Sequence, residues 1–326
     1  MKDIFRGVLF GSILLIFVSC KTNPPDIVSP NNSKGTLSIV SDVLSSEVYI
    51  NNDFAGYANL TVQLNPDNYN IYLKKDTLYS DTQSVTVIAD STINLFFAFR
   101  QKQSVLLEDF ANVSCDPCVE SSRILDELKS TRYKDNELIV IRYATNFPSP
   151  NDPFYMDAQE MNDARIQYYN VLFAPTTIVD GIEKPISTDS TSIIESVESR
   201  LTLKAPFFLD NISTTIDGDS IHISGQGDFP TSGYENLRFF IVLMQKEILF
   251  QNPPGSNGQT VFHDVAFAVL PGTDGFAINK RKNRKDGFEF NYFYNNANFV
   301  SLSNLEVVAF FQNSITKEIY FAEKIY

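Results

Sequence analysis

From residue 35 to about 100 the chain alternates apolar and polar positions over short runs, at 37–40, 48–50, 62–64, 69–73, 85–87 and 93–97. Asn51-Asn-Asp53, Gly56 and Asn65-Pro-Asp-Asn68 interrupt the runs. A period of two broken by turn residues predicts strands, and no helical period competes. Between 103 and 204 the pattern changes. An apolar run at 105–107 leads into a segment with Ile124, Leu125 and Leu128 at helical spacing, followed by an apolar strand at 137–143. A helical stretch from about 157 to 169, a turn at Asp180-Gly181 and a helix across 192–203 complete this region. Strands interleaved with helices imply a parallel or mixed sheet covered on both faces. From 205 strands return, with a hairpin around Asp217-Gly218 and apolar runs at 237–244, 305–311 and 318–322. The expected fold class is therefore multidomain α/β plus all-β. It comprises a small N-terminal β-sandwich (35–100), a central α/β domain (103–204) and a C-terminal β-sandwich (205–326).

The first residues follow a different rule. Lys2 and Arg6 precede an apolar run at 7–18 and then Ser19-Cys20. That run is too short to span a bilayer comfortably and has the charged, apolar and small-residue regions of a secretory signal, assigned to 1–20. Residues 21–34, rich in Pro, Asn and Ser, are expected to form a flexible tether.

Composition narrows the chemistry. The net charge of −13 over 326 residues argues against nucleic acid, since a phosphate backbone needs a positive surface. Of three cysteines, Cys20 belongs to the leader and Cys115 and Cys118 remain. These two sit three positions apart at a helix start, where they can close a disulfide with little backbone movement. Unpaired N–H groups and the helix dipole there favour a thiolate at Cys115. Asp109, on the preceding strand, faces the opposite way from Glu108 and is a candidate buried carboxylate near Cys118. Asp116 works against the thiolate by placing a second negative charge beside it. The pair is thus either an exchange centre or a structural disulfide. Zinc needs further ligands, and the two histidines, His222 and His263, lie far along the chain in the C-terminal region, so neither a metal nor a cofactor is assigned. The loop at 146–155 either forms an apolar lip over Cys115 with Phe147, Phe154 and Tyr155 or packs its own aromatics. The basic run at 280–285 reads as a solvated loop tip or a contact for anionic headgroups.

Several stretches resemble known families. Asp109, Phe110, Cys115, Pro117 and Cys118 resemble the thioredoxin superfamily pattern, and 173–181 resembles its cis-proline segment. The resemblance implies that Cys115 attacks a substrate disulfide, Cys118 resolves it, Asp109 accepts the Cys118 proton and Pro175 faces the cysteines. The leader resembles a bacterial lipoprotein signal, which implies lipidation of Cys20. Gly35 to Ile39, Glu47 to Asp53, Ala55-Gly-Tyr57 and Leu64 to Ile71 resemble the PEGA repeat, a β-sandwich module of bacterial surface proteins. Residues 171–181, 261–275 and 307–319 resemble the Omp28-related outer membrane lipoproteins, which join a thioredoxin-like domain to a C-terminal β-sandwich.

Together these imply a membrane-anchored extracytoplasmic lipoprotein performing thiol–disulfide exchange on exported proteins. The alternative is a non-catalytic outer-membrane or surface lipoprotein whose β domains bind protein or glycan and whose CxxC is structural. The implied partners are the membrane, through Cys20, and exported thiol or disulfide proteins. The implied location is the cell envelope at the outer membrane.

Overall fold

The computed structural model describes residues 33–325 apart from 42, 44, 76–77, 100, 103, 206, 230–233, 279–287, 296–300 and 302. The leader with Cys20, nearly all of the tether and the basic run at 280–285 lie outside the described residues.

The N-terminal region holds β1 (Gly35–Ser41), β2 (Glu47–Ile50), β3 (Asp53–Tyr57), β4 (Leu60–Leu64), β5 (Asp67–Lys75), β6 (Leu78–Tyr79), β7 (Gln83–Val87) and β8 (Thr92–Phe97). They form two sheets, β4-β1-β8 and β3-β2-β5-β6, with β7 also pairing β5. Alternate residues face inward, so Leu37, Ile39, Val48, Ile50, Ile71 and Leu73 fill the space between the sheets. The β2–β3 hairpin turns through Asn51 and Asn52 at φ 50° and 72°, a left-handed conformation that Asn tolerates because its short amide can bond locally.

A two-residue ladder, β9 (Gln101–Lys102) with β13 (Lys204–Ala205), links this module to the rest. Next come β10 (Val105–Ala111), α1 (Asp116–Glu127) continued by a π-helical turn at Leu128–Arg132, β11 (Leu138–Ala144), α2 (Pro153–Asp157), α3 (Gln159–Tyr169), β12 (Thr176–Val179) and α4 (Ser190–Leu201). The C-terminal part holds β14 (Phe208–Asp217), β15 (Ser220–Asp228), β16 (Leu237–Leu249), β17 (Val261–Leu270), β18 (Phe276–Ala277), β19 (Phe288–Asn295), β20 (Leu305–Asn313) and β21 (Ile319–Lys324). The helix expected at 157–169 is divided at Ala158, whose backbone leaves the helical region.

The architecture corrects the expected fold class. Strands far outnumber helices, and no separate thioredoxin-like α/β domain stands between two sandwiches. The strands expected in the central domain run directly into the C-terminal ones as one sheet, β12-β10-β11-β17-β16-β20-β21, with β18 beside β16. The β11–β17 join is made at Arg142 and Val265. This sheet coils until its far end returns to its beginning: Ile319 N donates to Asp180 O at 2.9 Å, and Arg200 bridges Asp180 and Glu318. Gly181 makes that approach possible, since a Cβ there would lie 1.9 Å from Lys317 O. Inside the coil, Leu106, Phe110, Ile139 and Ile141 share one core with Phe240, Val242, Val308 and Phe310. On the outer face, Val105, Leu107 and Val140 meet α1 and α4. Farther along that face, Phe239, Ile241, Leu243 and Phe311 meet the smaller sheet β14-β15-β19 through Ile221, Ile223 and Phe290, the sandwich packing expected of the C-terminal strands.

Because β16 and β20 are covered on both sides, they read as continuous apolar runs rather than alternating ones. That reading hid their place in one sheet with β10 and β11. Periodicity identifies strands but not their neighbours, and the open edge of β11 pairs with a strand more than a hundred residues away.

Candidate functional site

The sequence makes a tight strand-to-helix turn at 112–118. Cys115 takes the N-cap position of α1 with an extended backbone, and Asp116 and Pro117 open the helix, where the missing proline N–H is not needed. Cys115 and Cys118 form a disulfide with Cα atoms 5.3 Å apart. The turn is tied on all sides. Asn112 accepts from Ser114 N at 2.9 Å and donates to Thr145 O and Ser149 O at 2.6 and 2.9 Å. Asp152 accepts from Val113 N at 2.8 Å while capping α2 through Phe154 N and Tyr155 N. Burial raises the Asp152 pKa, and the three backbone donors oppose the rise.

A loop from the C-terminal part lies over this turn. Phe250 N and Thr260 O close its base at 2.9 Å, and Asn257 N donates to Val113 O at 3.2 Å. Ser256 N donates to Ser114 Oγ at 3.3 Å, and Asn257 Nδ2 to Cys115 O at 3.4 Å. Gly255 fits because it has no side chain: a Cβ would sit 2.2 Å from Val113 O. Cys115 and Cys118 are left only 3% and 1% exposed.

Against the helix that starts at the disulfide lies Asp109, fully buried. Its Oδ1 accepts from Ser121 Oγ at 3.4 Å and Thr177 Oγ1 at 3.3 Å. Its Oδ2 faces Arg142 Nε at 3.6 Å, and neither of those atoms has a hydrogen-bond partner among the described residues. Burial raises the Asp109 pKa, and Arg142 opposes the rise. Arg142 reaches onward to Asp126 at 2.8 Å and to Ser122 O and His263 O at 3.2 Å. Asp126 meets His263 Nδ1 at 2.9 Å, and His263 Nε2 lies 3.4 Å from Glu247. Burial would raise the Asp126 pKa, but His263 and Arg142 hold it below the usual value. The bond to Asp126 in turn raises that of His263. The chain of charges ends in an open cleft of about 610 Å³ also bordered by Lys129, Asp264 and Lys324. A separate cavity of about 30 Å³, enough for one water, borders Arg142.

The Ala174–Pro175 peptide is cis. It opens β12, whose pairing with β10 sets Thr177 opposite Asp109. The structure thus gathers Cys115, Cys118 and Asp109 around the start of α1 and aligns the strand after Pro175 alongside. The 146–155 loop packs its own aromatics: Phe154 meets Phe250 and Phe262 at 5.8 and 5.0 Å, and Tyr155 is buried with its hydroxyl on Asp163. His222 stacks on Phe293 at 4.4 Å, away from the cysteines. Arg142, Asp126, Asp152 and Asn257 escaped the sequence reading. Arg142 carried a signal, because an arginine inside an apolar strand must find a carboxylate. Asn257 carried none.

Among the described residues no group of three or more His, Cys, Asp or Glu is placed to hold a metal, and no helix is long and apolar enough to cross a membrane. Fold and site together define a predominantly β protein built from sandwich modules, with a closed disulfide at the seam of its large sheet. Comparison with known proteins assigns part of it: residues 34–103 match the PEGA domain. No curated protein matches the chain at a significant level. Among solved structures, HBP35 of Porphyromonas gingivalis is similar, with 17% identity and a TM-score of 0.53 over 68% of this chain and 74% of that one, which shows a shared fold. A protein from Agrobacterium tumefaciens has 14% identity and a TM-score of 0.47 over 69% and 95% of the two chains. A DUF3823 family protein from Bacteroides ovatus has 9% identity and a TM-score of 0.21 over 90% and 97%. The resemblance of residues 103–326 to Omp28-related lipoproteins finds no support in these comparisons.

Proposed function

We propose that the protein is a non-catalytic lipoprotein of the bacterial envelope, anchored through Cys20, whose β modules bind an external partner and whose Cys115–Cys118 disulfide is structural. The observation that carries this is the cover over the disulfide. Exchange begins with a thiolate reaching a sulfur in line, and here both cysteines are buried while the 251–260 loop is bonded over their turn through Ser256 and Asn257. Asp109, the base that exchange would need, is engaged by Ser121, Thr177 and Arg142. The test is insulin-disulfide reduction by residues 21–326 beside its Cys115→Ser variant. Equal and negligible rates are expected, and a wild-type rate that Cys115→Ser abolishes overturns the reading. A reduction potential below roughly −300 mV is expected for a structural pair. Anchoring is checked by fractionating cells that express Cys20→Ser, which should release the protein from membranes.

Thiol–disulfide exchange on exported proteins is the second reading. Asp109 is the observation in its favour, since a carboxyl whose pKa burial has raised is suited to take a proton from Cys118. This reading requires the 251–260 loop to leave Cys115, and replacing Asn257 with Ala should then raise the exchange rate.

A further inference from the structure

The outer face of the N-terminal sheet carries a feature its core does not need. Tyr57, Phe54, Tyr49, Tyr72 and Tyr79 form one continuous row across β3, β2, β5 and β6, with successive ring centroids 5.4, 5.9, 5.1 and 5.9 Å apart. The cross-strand pairing sets the row: Tyr49 lies opposite Phe54 on one side and Tyr72 on the other. Phe54, Tyr57 and Tyr79 are 53%, 58% and 59% exposed, so the row is not folded into any core. Contiguous exposed rings mark interaction surfaces.

The chemistry of the face narrows the occupant. The same face of β5 and β7 continues as polar pairs, Ser84 with Asn70 and Thr86 with Asn68, each at 2.6 Å. Its charged groups balance: Glu47 pairs with Lys74 at 3.9 Å and also accepts from the Tyr49 hydroxyl. Residues 34–102 hold seven Asp or Glu against five Lys or Arg, a near-neutral module within a chain of net charge −13. Neither a polyanion nor a polycation finds a complementary field here, whereas an uncharged ligand loses no charge solvation on docking. Four of the five rings carry a hydroxyl. Rings of this kind meet the C–H faces of pyranose units while phenol and amide groups bond their hydroxyls.

We propose that this row is a docking surface for a neutral polysaccharide laid across the strands. The proposal deepens the binding role above and rests on that reading, but it concerns a surface independent of the disulfide.

The test is retention of residues 21–326 on insoluble cellulose, chitin and starch, beside the variant F54A/Y57A/Y79A and the single variant Tyr57→Ala. Wild type should be retained on at least one of the three, with at least a tenfold loss of affinity in the triple variant and an unchanged melting temperature. Should the triple variant fail to fold, Tyr57→Ala decides, with a loss of at least twofold expected. Equal retention of wild type and variants, or no retention of wild type on any of the three, overturns the proposal and leaves the face to a protein partner. Insulin reduction measured on the same samples separates the two ideas. Glycan binding by an active reductase sinks only the non-catalytic reading, and an inert protein that ignores all three glycans sinks only this one.

Discussion

Glu108 and Asp109 are neighbours on one strand and live in opposite worlds. The alternation of β10 turns Glu108 into the coiled interior of the large sheet and Asp109 outward against α1. Glu108 is held by Arg165 and by the Tyr169 hydroxyl, and Arg165 also donates to Gln312 on β20. The Arg165 guanidinium lies 5.0 and 4.9 Å from the Tyr168 and Tyr169 rings, so its flat faces are covered as well. Asp109 has two hydroxyl partners at the long end of hydrogen-bond range, an arginine at 3.6 Å and an oxygen left without a bond. One carboxylate is fully matched and serves the fold by tying β10, α3 and β20 together. The other is undermatched, because its arginine is shared with Asp126 and a chain of charges that reaches solvent. The degree of satisfaction, rather than burial, separates the structural pair from the adaptable one.

This contrast can be broken experimentally. Replacing Arg165 with Met strands the Glu108 carboxylate inside the coil and should cost about 3–5 kcal/mol in urea unfolding. A loss under about 1 kcal/mol would mean that the interior is not dry. Replacing both Cys115 and Cys118 with Ser should cost about 2 kcal/mol, the chain-entropy value for so short a loop. A much larger melting shift would show that the disulfide also anchors the 251–260 loop. Asp109→Asn should cost only about 1 kcal/mol, since Arg142 keeps Asp126 and two carbonyls. A cost matching that of Arg165→Met would erase the distinction between the two carboxylates.

The smallest effect concerns pH. His263 has a folded pKa raised above its usual 6.5, chiefly by the bond to Asp126, so its charged form is favoured in the folded state. Its contribution to stability is therefore fully present below about pH 6.5 and is lost as pH rises through the higher folded value. His263→Asn should flatten the stability profile across that window, and an unchanged slope would place the stabilising proton elsewhere.

Much of this is legible in the sequence alone. The alternation at 105–111 set Glu108 and Asp109 on opposite faces, and Cys115, Pro117 and Cys118 announced a helix start bearing a disulfide-capable pair. The turn residues between short strands marked the N-terminal sandwich. The partners were not legible. Arg165 lies 57 residues from Glu108, Gln312 lies 147 from Arg165 and Asn257 lies 142 from Cys115, and no local period encodes such pairings.

By itself the sequence determined which segments become strands or helices, which side of each strand is apolar and where two thiols can meet, because these depend on residues within a turn or two of one another. Tertiary structure alone decided that the helical region and the C-terminal strands share one coiled sheet, that a distant loop seals the disulfide and that one of two adjacent acids is left partly unmatched. Those outcomes depend on which open edge finds which strand, a choice made by burial and hydrogen bonding summed over the whole chain.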